Sequence, residues 1–81
     1  MAKARVYVTL KKSVFDPQGT TIQEALHSLG YASVASVRQG KFFEVELRGL
    51  GGPEARAAAE EIARRVLANP VIESYRVEVE A

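Results

Sequence analysis

The spacing of apolar residues changes period along this chain, and those changes constrain its fold more than any other feature. Arg5-Val6-Tyr7-Val8-Thr9-Leu10 alternates with period two and is rich in β-branched residues, which predicts a half-buried strand with Val6, Val8 and Leu10 inward. The period then lengthens. Ile22, Ala25, Leu26 and Leu29 recur at i, i+3, i+4 and i+7, one buried stripe of a helix that stops at Gly30. Asp16-Pro17 supplies an N-cap with Pro at the first helical position, while Thr20 to Gln23 offers a capping box one turn later, so two helix starts compete.

Two strand-like runs come next, Val34 to Arg38 and Lys41 to Leu47, joined by Gln39-Gly40, which predicts a tight hairpin. After the breakers Gly49, Gly51, Gly52 and Pro53, the segment from Glu54 to Ala68 places Ala55, Ala58, Ala59, Ile62 and Val66 on one helical face before Asn69-Pro70 ends it. Tyr75, Val77 and Val79 alternate with Arg76, Glu78 and Glu80 as a last strand. The order β-α-β-β-α-β predicts an α+β two-layer sandwich: a mostly antiparallel four-stranded sheet with two helices on one face, ferredoxin-like.

With 81 residues the chain forms one domain with a thin core. Small domains gain stability from disulfides, metals or association, and a chain without cysteine has no disulfide and no thiolate zinc site. Association is left. The absence of cysteine, with no signal-like or membrane-spanning apolar run, reads as cytoplasmic. A formal net charge of +1 creates no strong field toward nucleic acid or membrane. Lys11-Lys12 is a weak basic patch, and Arg64-Arg65 suits a helix C-terminus.

Catalytic chemistry finds little support. The single histidine, His27, lies off the apolar stripe and reads as solvated, and with one His and one Asp, where a metal site would want several His, Asp or Glu side chains converging, no metal is implied. The carboxylate pairs Glu44/Glu46, Glu60/Glu61 and Glu78/Glu80 read as solvated faces of strands and helices. The glycines at 49, 51 and 52 lack the GK[ST] or GxGxxG context of a phosphate cradle. On the outer sheet face, Tyr7 and Phe42 are either isolated exposed aromatics or an oligomer contact.

Three stretches exceed what the fold requires: Asp16-Pro17-Gln18-Gly19, Val37-Arg38-Gln39-Gly40-Lys41, and Leu67-Ala68-Asn69-Pro70-Val71-Ile72-Glu73. In this order and at these spacings, with Phe43-Glu44-Val45 after the second, the chain resembles the PurS family along nearly its whole length, as a single domain over residues 1–81. The Gly49 to Pro53 loop and the helix after it carry no family motif. The resemblance implies a small subunit of phosphoribosylformylglycinamidine synthase, in the fourth step of de novo purine biosynthesis. Such a subunit is not itself the catalyst. It assembles as a homodimer or dimer of dimers and bridges the glutaminase subunit PurQ and the large synthetase subunit PurL, where ATP and magnesium act, and it binds no cofactor of its own.

On this reading the partner-binding residues are Asp16, Pro17, Gln18, Gly19, Arg38, Gly40, Lys41, Asn69, Pro70 and Glu73. Arg38 and Lys41 make charge-assisted contacts to a partner, and Tyr7 and Phe42 serve the oligomer. The competing readings are a small-ligand regulatory domain of the same fold and an RNA-binding sheet stacking bases on Tyr7 and Phe42. Carboxylates beside those rings weigh against RNA.

Overall fold

The computed structural model describes residues 2–80. Three strands, β1 (Ala2–Leu10), β2 (Gly40–Leu47) and β3 (Glu73–Glu80), form an antiparallel sheet in the order β2-β1-β3. Two helices, α1 (Pro17–Ser28) and α2 (Gly52–Ile62), occupy the connections. The β1 alternation holds: Ala2, Ala4, Val6 and Val8 are buried, while Lys3, Arg5 and Tyr7 face the other way.

The sheet has three strands, not four. Val34 to Arg38 forms no strand, and no hairpin turns at Gln39-Gly40. The segment instead runs along α1, where Gln23 Nε2 donates to Ala35 O at 3.0 Å and His27 Nε2 lies 2.8 Å from Val34 O. Side chains of the helix thus satisfy carbonyls that a sheet partner would otherwise take. His27 is exposed, but it is bonded rather than merely solvated.

Nor do both helices lie on one sheet face. α2 packs over β1 and β3, whereas α1 stands away from the sheet. Its stripe, expected to be buried, is open: Ile22 is 39% exposed and Leu29 74%. The molecule is correspondingly elongated, 49 × 25 × 14 Å.

α2 continues into a π-helical turn, Ala63–Leu67, closed by Ala68 N donating to Ala63 O at 2.9 Å. A π turn adds a residue to the helical repeat and rotates the residues beyond it about the helix axis. Ala55, Ala59, Ala63 and Ala68 therefore all point into the core, and Val66, expected on the buried face, is 76% exposed. Small alanines let the helix approach Ala4, Val6, Val8 and Val77 closely. Phe43, Val45 and Leu47, on the same side of β2, pack at the margin of this core and stay half-buried.

Candidate functional site at one end of the sheet

The three stretches singled out in the sequence come together where β1 ends and β2 and β3 begin. Asp16 is the hub. It caps α1, with Pro17 in the first helical turn, and its Oδ1 accepts the Gly19 N–H at 2.9 Å. Its Oδ2 accepts the Gln39 N–H at 2.8 Å, so one buried carboxylate ties the helix start to the far end of the returning segment. These two backbone donors, Gln39 first and then Gly19, hold its carboxyl below the usual carboxylate range, helped by the Arg38 charge.

Gly19 is required by contact rather than by conformation. A Cβ there would sit 2.0 Å from Val37 O. Gly40 is constrained in the same way, since a Cβ would lie 2.5 Å from Val8 O. The first two stretches are thus held backbone against backbone.

Arg38 fastens the knot from the other side. One guanidinium nitrogen donates to Lys11 O at 2.8 Å and to Val14 O at 2.9 Å. This side chain, expected to reach a partner, here holds the β1–α1 loop in place. Lys11 is likewise an anchor: its backbone N–H donates to Ile72 O and its ammonium to Pro70 O at 2.9 Å.

Lys41 joins the third stretch. Its Nζ lies 3.4 Å from Glu73 Oε2 and 3.4 Å from Leu67 O. Glu73 turns its other oxygen to the Asn69 N–H at 2.7 Å, and Asn69 Oδ1 accepts the Val71 N–H at 3.0 Å. The Asn69-Pro70 turn is therefore shaped by two side chains of the same stretch. Between these groups opens a cleft of about 270 Å³, lined by Val8, Asp16, Gln18, Gln39, Lys41 and Glu73. Gln18 is exposed at its rim, and Lys41 is half-exposed.

The opposite sheet face carries a second cluster. The Tyr7 and Phe42 rings are paired across strands, 5.1 Å apart and tilted by 38°. Arg76, not anticipated from the sequence, lies 4.2 Å above the Tyr7 ring and pairs with Glu78, whose carboxylate also accepts the Tyr7 hydroxyl at 3.1 Å. Arg76 first and Tyr7 second hold the Glu78 carboxyl below its ordinary value. The β1–β3 register sets Tyr7 opposite Arg76, and local sequence carries no sign of that register.

Among the described residues no three of His, Cys, Asp and Glu converge as a metal site would need, and no helix is long and apolar enough to cross a membrane. What the sheet end offers is a hydrogen-bonded surface with a few open polar groups.

Comparison with known proteins identifies the family and the fold. The family model described as PurS, phosphoribosylformylglycinamidine (FGAM) synthase, matches residues 3–81. A phosphoribosylformylglycinamidine synthase subunit PurS from Bacillus subtilis is 46% identical over 80 residues, covering 99% of this chain and 94% of the relative. Its counterpart from Methanocaldococcus jannaschii is 40% identical, covering 99% and 96%. Among solved structures, B. subtilis PurS in a C2 crystal form superimposes with a TM-score of 0.87 over the full length of both chains, at 46% identity. A chain in the structure of PurLQS from Thermotoga maritima gives 0.85 at 26% identity, covering 99% of each.

Proposed function

The chain belongs to the PurS family, the small subunit of phosphoribosylformylglycinamidine synthase in purine biosynthesis, and from that premise we propose that it bridges the glutaminase and the ATP-dependent synthetase of its complex. The observation that carries this reading is the match along residues 3–81, which includes all three convergent stretches. The T. maritima PurLQS structure supports it, because a chain of this fold occurs there in a complex.

A bridge has a chemical purpose. Ammonia released by glutamine hydrolysis is protonated in bulk water and lost as unreactive ammonium, so transfer between two active sites needs an oriented, closed junction. The sheet-end surface, with Gln18, Lys41 and the Asn69-Pro70 turn, is the contact for PurL or PurQ. Asp16 and Gly19 shape that surface from beneath, while Arg38, exposed at its edge, holds the adjoining loop by its carbonyls. ATP and magnesium belong to the large subunit. The small subunit self-associates as a dimer or dimer of dimers, with Tyr7 and Phe42 at a contact, and works in the cytoplasm.

Reconstitution tests the reading. Glutamine-dependent formylglycinamidine ribonucleotide synthesis by the matching large and glutaminase subunits should require this protein. Full activity in its absence overturns the proposal.

A further inference from the structure

The Asn69-Pro70 turn uses its polar groups on itself and points its valines outward. Asn69 Oδ1 takes the Val71 N–H, and Glu73 takes the Asn69 N–H with one oxygen while the other faces Lys41. Val66, which precedes the turn, and Val71, which follows it, are each 76% exposed, more than any other large apolar side chain among the described residues.

The exposure of Val66 is produced by the π turn. Ala55, Ala59 and Ala63 reach the core at four-residue spacing, and Ala68 follows after five. The turn Ala63–Leu67 therefore holds one residue more than an α-helix needs, and removing one would restore the four-residue spacing with Ala68 still inward. Without the π turn, Val66 would stand three residues after Ala63 and seven after Ala59, on the core side. With it, Leu67 packs against the core, and Val66 opens beside Ala58 and Ile62 along a shallow groove of about 430 Å³. Glu61 and Arg65 line the same groove and neutralise each other at 3.0 Å.

We propose that Val66 and Val71 are the apolar anchors of the sheet-end contact, and that the π turn presents Val66 to an uncharged apolar patch of the enzyme subunit docked there. The inference rests on the bridging role proposed above and gives that contact its chemistry. Two observations choose the occupant. Lys41, at the sheet-end contact, holds the carbonyl of Leu67, the neighbour of Val66, so a partner seated on the turn reaches the groove within one helical turn, about 5 Å. The polar groups of the turn and the groove are paired among themselves, so a charged partner surface would lose its water there without gaining a free counter-charge. Apolar anchors with paired charges at their margin have the anatomy of an interface core and its rim.

The test titrates the full chain and its variants into the reconstituted mixture of the matching large and glutaminase subunits and reads the concentration giving half-maximal glutamine-dependent activity. Deletion of Val66 removes the anchor and turns the π turn into an α turn, Val66→Asp keeps the residue count and reverses the polarity, and Val66→Ile preserves both. The first two should raise the half-saturating concentration about tenfold with the maximal rate and circular dichroism retained, and Val66→Ile should match the wild type. Val71→Asp, outside the helix, should act like Val66→Asp, so the outcome does not depend on how α2 takes the deletion. Wild-type titration curves for the deletion and both Asp variants overturn the proposal, and if Lys41→Met alone shifts the curve, the sheet end docks by charge while the bridging role stands. Variants that change sedimentation of the isolated chain without shifting the titration place the valines between copies of this chain and overturn it as well. Full activity without the wild-type chain overturns the bridging role itself.

Discussion

Asp16 and Gln39 stand at opposite ends of the α1 excursion, and a 2.8 Å hydrogen bond from the Gln39 N–H to the Asp16 carboxylate closes it into a loop with a fixed base.

The bond should respond to acid in a defined direction. Because the Asp16 carboxyl is depressed in the folded chain, the stability it confers is fully present above the unfolded value of about 3.9 and disappears as pH falls through the lower folded value. Amide-exchange protection of Gln39 and Gly19 should therefore persist through the ordinary carboxylate range and fall only below it. Asp16→Asn should show reduced protection at neutral pH and little further change on acidification.

Replacing Gly19 should reverse the usual helix rule. Gly→Ala inside a helix ordinarily gains roughly 0.5–1 kcal/mol. Here the added methyl would meet Val37 O, and Gly19→Ala should instead destabilise by about 1–3 kcal/mol in urea unfolding. Gly52→Ala, whose Cβ would meet nothing within 4 Å, should be neutral or mildly stabilising.

Core packing predicts a comparable loss from a very different place. Val6 is fully buried between the sheet centre and the alanine face of α2. Val6→Ala should cost about 2 kcal/mol, visible as a lower denaturation midpoint with an unchanged slope.

Arg38 and Lys41 should part company in a reconstituted complex. Arg38→Met frees the carbonyls of Lys11 and Val14 and should raise amide exchange in the β1–α1 loop as well as weaken glutamine-dependent activity. Lys41→Met removes a half-exposed ion pair worth under about 1 kcal/mol. It should leave Tm nearly unchanged while lowering affinity for the partner subunit, measured by titration calorimetry.

On the outer face, Arg76→Ala removes a cation held over the Tyr7 ring and a partner of Glu78. A loss of about 0.5–1 kcal/mol is expected in thermal unfolding, reduced by salt.

The sequence disclosed the elements with alternating or helical period and misled where period alone cannot tell what covers a face. Val6 and Val8 are inward and Tyr7 and Phe42 outward, as alternation requires. Ile22, Leu26 and Leu29 do form a stripe, but periodicity records that a surface is apolar, not which surface meets it. Val34 to Arg38 has strand composition, yet bonds from Gln23 and His27 capture its carbonyls, a tertiary preference invisible in the local sequence. Asp16, Arg38 and Lys41 were identifiable as unusual. That the first two bond backbone atoms of their own chain, Asp16 from a buried position and Arg38 from an exposed one, needed the fold, because a carboxylate and a guanidinium serve a loop carbonyl or amide as readily as a partner's.

The strand order also sets a schedule. β1 occupies the middle of the sheet, and in one register Lys3 stands opposite Glu46 on one side and Glu80 on the other. Leaving the ribosome ahead of both neighbours, β1 carries its apolar Val6 and Val8 unpaired until β2 and then β3 have been made. Long-range pairing of this kind is slow and exposes strand edges while it waits. The sheet can close only after β3 has been synthesised, so premature termination before β3 should leave a chain that aggregates rather than a partly folded subunit.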